Sequence, residues 1–113
     1  MMQQTGRDLA EKKCKPCEGD VEPMTEDEAR DMLETVEGWD LRDKTIHKTF
    51  KFDNFYQTMA FVNAVAWIAN REDHHPDLQT GYGSCTVSFS THSIGGLSEN
   101  DFISAAKVDA LLE

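Results

Sequence analysis

Two stretches of alternating apolar and polar residues, 45–52 and 85–91, flank one long helical stripe at 54–70, and this interleaving restricts the folds open to the chain. In the first stretch Ile46, Phe50 and Phe52 share one face, with Thr45, His47, Thr49 and Lys51 on the other. Lys48 interrupts the apolar face, which predicts a half-exposed or edge strand. Trp39–Leu41 and a polar turn around Arg42-Asp43-Lys44 complete a hairpin. In the second stretch Cys85, Val87 and Phe89 alternate, with Cys85 expected as a small core residue. Asp77–Thr80 precedes it as a short strand, joined by Gly81-Tyr82-Gly83-Ser84, in which Tyr82 is expected to pack on the core.

The intervening helix can be capped by Asp53 or Asn54 and runs to about Asn70. Phe55, Met59, Val62 and Ala66 keep helical spacing, and Phe61, Val65 and Ile68 widen the stripe. That width predicts burial on more than one side, against a sheet and a partner subunit. An earlier helix starts at the capping box Thr25–Glu28, carries Met32, Leu33 and Val36, and stops at Gly38. A last helix begins at Ser98, where Ser98 with Asp101 forms a box-like pair and Leu97 with Phe102 a hydrophobic staple. The order α-β-β-α-β-β-α, with paired antiparallel strands and helices covering one sheet face, is an α+β fold.

Residues 1–22 are polar, hold Gly6, Pro16 and Gly19, and have no sustained apolar period, so a flexible arm is expected ahead of a single domain at 23–113. The arm contains Cys14-Lys15-Pro16-Cys17. A zinc site needs about four ligands, and no second cysteine pair completes one. Three cysteines are also too few for a secreted disulfide framework. Eleven basic against 21 acidic residues give a net charge of −10, which disfavours nucleic acid as a partner. No apolar run approaches the ~20 residues that span a bilayer, and the first residues lack the apolar core of a signal peptide. A soluble, cytoplasmic protein is expected.

The chemistry-bearing stretch is Glu72-Asp73-His74-His75-Pro76-Asp77, between a helix and a strand. Pro76 holds His75 extended, so His74 and His75 point to opposite sides and do not chelate one metal together. A third histidine, His92, ends the last strand ahead of Gly95-Gly96, whose small residues let backbone approach a ligand. His47 lies on the polar hairpin face and reads as solvated. A lone loop histidine is more often a surface residue than a catalyst, and Asp101 has an ordinary role at a helix start. Three clustered histidines nevertheless suit proton transfer near neutral pH. One donating and one accepting a proton would serve a dehydration. No nucleophile elbow, phosphate loop or dinucleotide fingerprint is present.

His74-His75-Pro76, Tyr82, His92 and Asp101, with Thr91-His92-Ser93-Ile94-Gly95-Gly96-Leu97-Ser98 leading to Asp101, closely resemble the signature of the pterin-4a-carbinolamine dehydratases over about Met24 to Leu112. That family often has an acid four positions before the first histidine; here it is Asn70, with Glu72 and Asp73 nearby. The resemblance implies a four-stranded antiparallel sheet with about three helices packed on it, in a homodimer or homotetramer. It implies a hydro-lyase converting 4a-hydroxytetrahydropterin to quinonoid dihydropterin and water, recycling the cofactor of aromatic amino acid hydroxylases. The catalytic positions would be His74, His75 and His92, and the substrate-binding ones His75, Asp73, Thr91 and Asp101. No metal and no organic cofactor is implied. Relatives of the family also bind or help assemble other proteins, so a non-catalytic interaction module is the alternative.

Overall fold

A computed structural model describes residues 5–15 and 22–113. The elements run α1 (Gly6–Ala10), α2 (Glu26–Leu33), β1 (Asp40–Arg42), β2 (Thr45–Lys51), α3 (Phe55–Glu72), β3 (Asp77–Thr80), β4 (Ser84–Phe89) and α4 (Glu99–Ala110), with a 3₁₀ turn at His92–Ile94. The four strands form one antiparallel sheet in the order β1-β2-β4-β3. The fold is thus α+β as expected.

Alternation in the strands decides which sheet face is covered. Ile46 pairs with Phe89 and Phe50 with Cys85, and all four are buried. The opposite face carries hydroxyls such as Thr49 and Thr86, whose oxygens lie 2.7 Å apart. Trp39, Phe61, Val65, Phe102 and Ile103 close the core above the apolar face. Helix α4 lies between α1 and α3 over β4, which explains why Asn100 through Val108 are all buried. The predicted capping boxes form. Thr25 Oγ1 accepts from the Glu28 amide at 3.2 Å, and the Ser98 amide donates to Asp101 Oδ2 at 3.0 Å. Asn54, rather than Asp53, caps α3.

Three expectations need correction or narrowing, those for the arm, Lys48 and Tyr82. Residues 5–15 are not a flexible arm: Thr5 and Asp8 make a further capping box, and Leu9 is fully buried in the core. A single apolar side chain suffices because α4 offers it a seat. Cys17, the second cysteine of the pair, lies outside the described residues.

Of the two readings of Lys48, a half-exposed or an edge strand, the first holds: β2 is central and only Ile46 and Phe50 of it are buried. The Lys48 ammonium reaches over the Phe50 ring, donates to Asp109 Oδ1 at 2.9 Å and to the Glu37 carbonyl at 3.2 Å. A charge survives on the apolar face because the ammonium is paired and partly exposed to solvent. Lys48→Met keeps the stem and loses a partly exposed ion pair, so urea unfolding should show a loss of only about 1 kcal/mol or less.

Helix α3 buries one stripe, Thr58, Phe61, Val65, Ile68 and Ala69, while Phe55, Tyr56 and Trp67 stay exposed within this chain. It is α4 that is covered on all sides. Tyr82 is also exposed and stacks on Phe55 outside the core; the neighbouring peptide is fixed instead by Thr58 Oγ1, which donates to the Tyr82 carbonyl at 2.9 Å. Gly96 serves packing: a Cβ there would lie 2.6 Å from the Pro23 Cβ.

Candidate active site

Helix α3 ends because Asp73 adopts a left-handed conformation (φ 51°, ψ 43°), which aspartate tolerates better than most residues. The Ala69 carbonyl then accepts from the amides of both Asp73 and His74. This tight exit turns the His74 side chain toward the start of α4. Its Nε2 lies 2.6 Å from Asp101 Oδ1. Asp101 is fully buried, and its other oxygen accepts from Thr91 Oγ1 at 2.8 Å and from the Ser98 amide. Thr91 Oγ1 and Ser98 Oγ are themselves 2.8 Å apart. The imidazole lies nearly parallel to the Phe89 ring, with an interplanar angle of 12° and centroids 6.0 Å apart. One ring nitrogen, one ring face and the backbone amide of His74 are therefore fixed.

His74 borders a cleft of about 360 Å³, a size that suits a small ligand. Glu72, Asp73 and His74 line it from the end of α3, Thr91 and Ser93 from beyond β4, and Asn100 from α4. Cys14 and Lys15 line it from the amino-terminal segment. Of the expected site residues, His74, Asp73 and Thr91 thus meet at the cleft, with Asp101 directly behind His74. His75 and His92 are exposed and do not line it. His75 Nε2 lies 3.2 Å from Asn70 Oδ1, so the position where the family often has an acid serves the second histidine here. His92 sits in the 3₁₀ turn next to Ser93, which does reach the cleft.

Glu72, Asn100, Cys14 and Lys15 were not predicted as site residues. Glu72 Oε1 accepts from the Cys14 amide at 2.9 Å and Oε2 from Arg71 Nε at 3.0 Å. Burial opposes ionisation of Glu72, but the Cys14 amide, Arg71 and Lys107 outweigh it and hold the carboxyl below its ordinary range. Burial pushes the Cys14 thiol up, against an opposing hydrogen bond from Ser104. The only sequence signals for these contacts were the acid beside the histidines and the cysteine ahead of a proline.

Among the described residues no three His, Cys, Asp or Glu side chains gather as metal ligands do, and no helix is long and apolar enough to cross a membrane. Chemically the arrangement offers an oriented imidazole, backed by a buried carboxylate, at the wall of a polar cleft. Such a pair moves protons.

Comparison with known proteins places the chain in a family. The family model described as pterin 4 alpha carbinolamine dehydratase matches residues 22–111. A protein of Nitrosomonas eutropha, provisionally named a pterin-4-alpha-carbinolamine dehydratase, is 62% identical over 93% of this chain and 94% of its own. A crystal structure of a transcriptional coactivator/pterin dehydratase from Brucella melitensis superposes with a TM-score of 0.77 at 31% identity, covering 80% of this chain and 99% of that one. A pterin dehydratase-like protein described as a RuBisCO assembly factor in the alpha-carboxysome superposes with a TM-score of 0.55 at 27% identity, over 65% of this chain and 84% of its own. On the match across residues 22–111 and on these relatives, the chain belongs to the pterin 4 alpha carbinolamine dehydratase family.

Proposed function

We propose that the protein is a hydro-lyase that dehydrates 4a-hydroxytetrahydropterin to quinonoid dihydropterin and water, in the cytoplasm and as a homo-oligomer. The observation that carries this is the His74–Asp101 pair at the cleft wall. A carboxylate only accepts hydrogen bonds, so against Asp101 the His74 Nε2 is the donor and Nδ1 keeps its lone pair. His74 then takes the proton from the pterin N5 while the C4a–O bond breaks. The departing hydroxyl leaves as water by taking a proton from solvent; His92 lies outside the cleft next to the lining Ser93, where it can relay that proton. Asp73 binds the ring from the cleft wall and Thr91 keeps Asp101 in place, while His75 is held by Asn70 outside the cleft.

Stopped-flow decay of 4a-hydroxytetrahydrobiopterin, with and without the protein, is the test. Acceleration well above the spontaneous rate is expected. Folded protein that leaves the decay unchanged would remove the dehydratase reading. The alternative, an assembly or interaction module, would then lead. Favouring it are the exposed Tyr56, Trp67 and Tyr82 and the likeness to an assembly factor.

A further inference from the structure

The cleft that holds His74 has a wall that the family match does not include. That match begins at residue 22, yet Cys14 and Lys15 line the cleft. They are fixed there by side chains of the domain. Asn100 Oδ1 accepts from the Lys15 amide at 2.9 Å, and Asn100 Nδ2 donates to the Lys15 carbonyl, a two-bond grip on one peptide residue. Glu72, whose side chain is only 4% exposed, takes the Cys14 amide. The Cys14 sulfur lies 3.4 Å from Ser104 Oγ. Upstream, Lys107 donates to the Ala10 carbonyl at 2.7 Å, and Lys12 pairs with Glu99 at 3.4 Å. The segment is held from both α4 and the end of α3.

Its placement changes the chemistry of the cleft. Glu72 and Asp73 give the rest of the cleft carboxylates, which accept hydrogen bonds. Among the described lining residues Lys15 is the one lysine or arginine. A pterin ring presents both kinds of edge: a 2-amino group and N3–H that donate, and a 4-oxo oxygen that accepts. We propose that Lys15 is a substrate-binding residue, its ammonium donating to the 4-oxo oxygen of the bound pterin from a strap, Lys12–Lys15, that closes the cleft. This rests on the pterin reading of the cleft.

The experiment uses the full chain carrying Lys15→Glu, Lys15→Met or Lys15→Arg. The Lys15 side chain is exposed, so melting temperatures should stay within a degree or two of wild type. KM for 4a-hydroxytetrahydrobiopterin should rise about tenfold in Lys15→Glu and Lys15→Met, with kcat within about twofold, while Lys15→Arg stays near wild type. A second readout needs no turnover: saturating 7,8-dihydrobiopterin should slow alkylation of Cys14, resolved by peptide mass from Cys17 and Cys85, in wild type and Lys15→Arg but much less in Lys15→Glu. An active wild type whose Lys15→Glu and Lys15→Met variants keep KM and protection would overturn the role of Lys15 and leave the dehydratase standing. An inactive wild type whose Cys14 is still protected, in a manner that needs Lys15, would sink the dehydratase and support the binding role. Neither turnover nor protection in wild type would remove both.

Discussion

Replacing Asp101 with asparagine is expected to cost turnover almost as much as replacing His74 with alanine, on the order of 10²-fold or more in each case. The two substitutions fail for different reasons. On the proposed mechanism, His74→Ala removes the base. Asp101→Asn keeps size and shape, and its amide oxygen can still accept from Ser98 and Thr91, the bonds now made by Oδ2. The amide nitrogen then faces His74 Nε2 in place of Oδ1. Two donors cannot bond, so the imidazole proton must move to Nδ1, and the nitrogen meant to accept from the pterin becomes a donor. The double variant should be little worse than either single one, because the two residues act as a unit. Single-turnover kinetics with circular dichroism on each protein is the check. A folded Asp101→Asn variant with near-normal turnover would show that the carboxylate does not set the tautomer.

Leu9→Ala should destabilise the protein by about 2–5 kcal/mol, the range for emptying a sealed core position. Leu9 has no solvent exposure and belongs to the same cluster as Phe102 and Val108. For a domain of this size the melting temperature should fall by roughly 10 °C or more. A change below about 1 kcal/mol in urea unfolding would mean that α1 is not seated on α4 in solution.

Much of the fold was legible because its signals are local. Thr25 and Ser98 announce helix starts through boxes that close within four residues. The alternation of β2 and β4 gives their buried face without reference to any other element. What escaped was settled at a distance. Five residues around one leucine carry no period, so α1 could be recognised only from the Thr5–Asp8 box or from the groove it fills. Lys48 looked like an edge signal because its acceptor, Asp109, lies in another element. The outward Tyr82 follows the same logic, since composition tells which residues are apolar and not which face meets the core.

The site was legible as residue types and only partly as geometry. His74 and Asp101 were both singled out, but nothing in the chain across their separation of 27 positions says that they bond. His75, His74 and His92 look equivalent in sequence, yet among the described residues only the first two have a side-chain hydrogen-bond partner, Asn70 for one and Asp101 for the other. Cys14 and Lys15 were set aside with a polar arm, although the groups that fix them, Glu72 and Asn100, lie beside motif positions.

Asp101 holds two structures with one carboxylate: Oδ2 secures the first turn of α4, and Oδ1 aims His74. A lineage that gave up turnover would still be selected to keep this aspartate, since losing it would loosen a helix that the whole core rests on. Survival of Asp101 in a relative is therefore a record of folding and says little about whether that relative still catalyses anything. His74, which supports no element start of its own, is the position whose drift would first betray a descendant turned to other work.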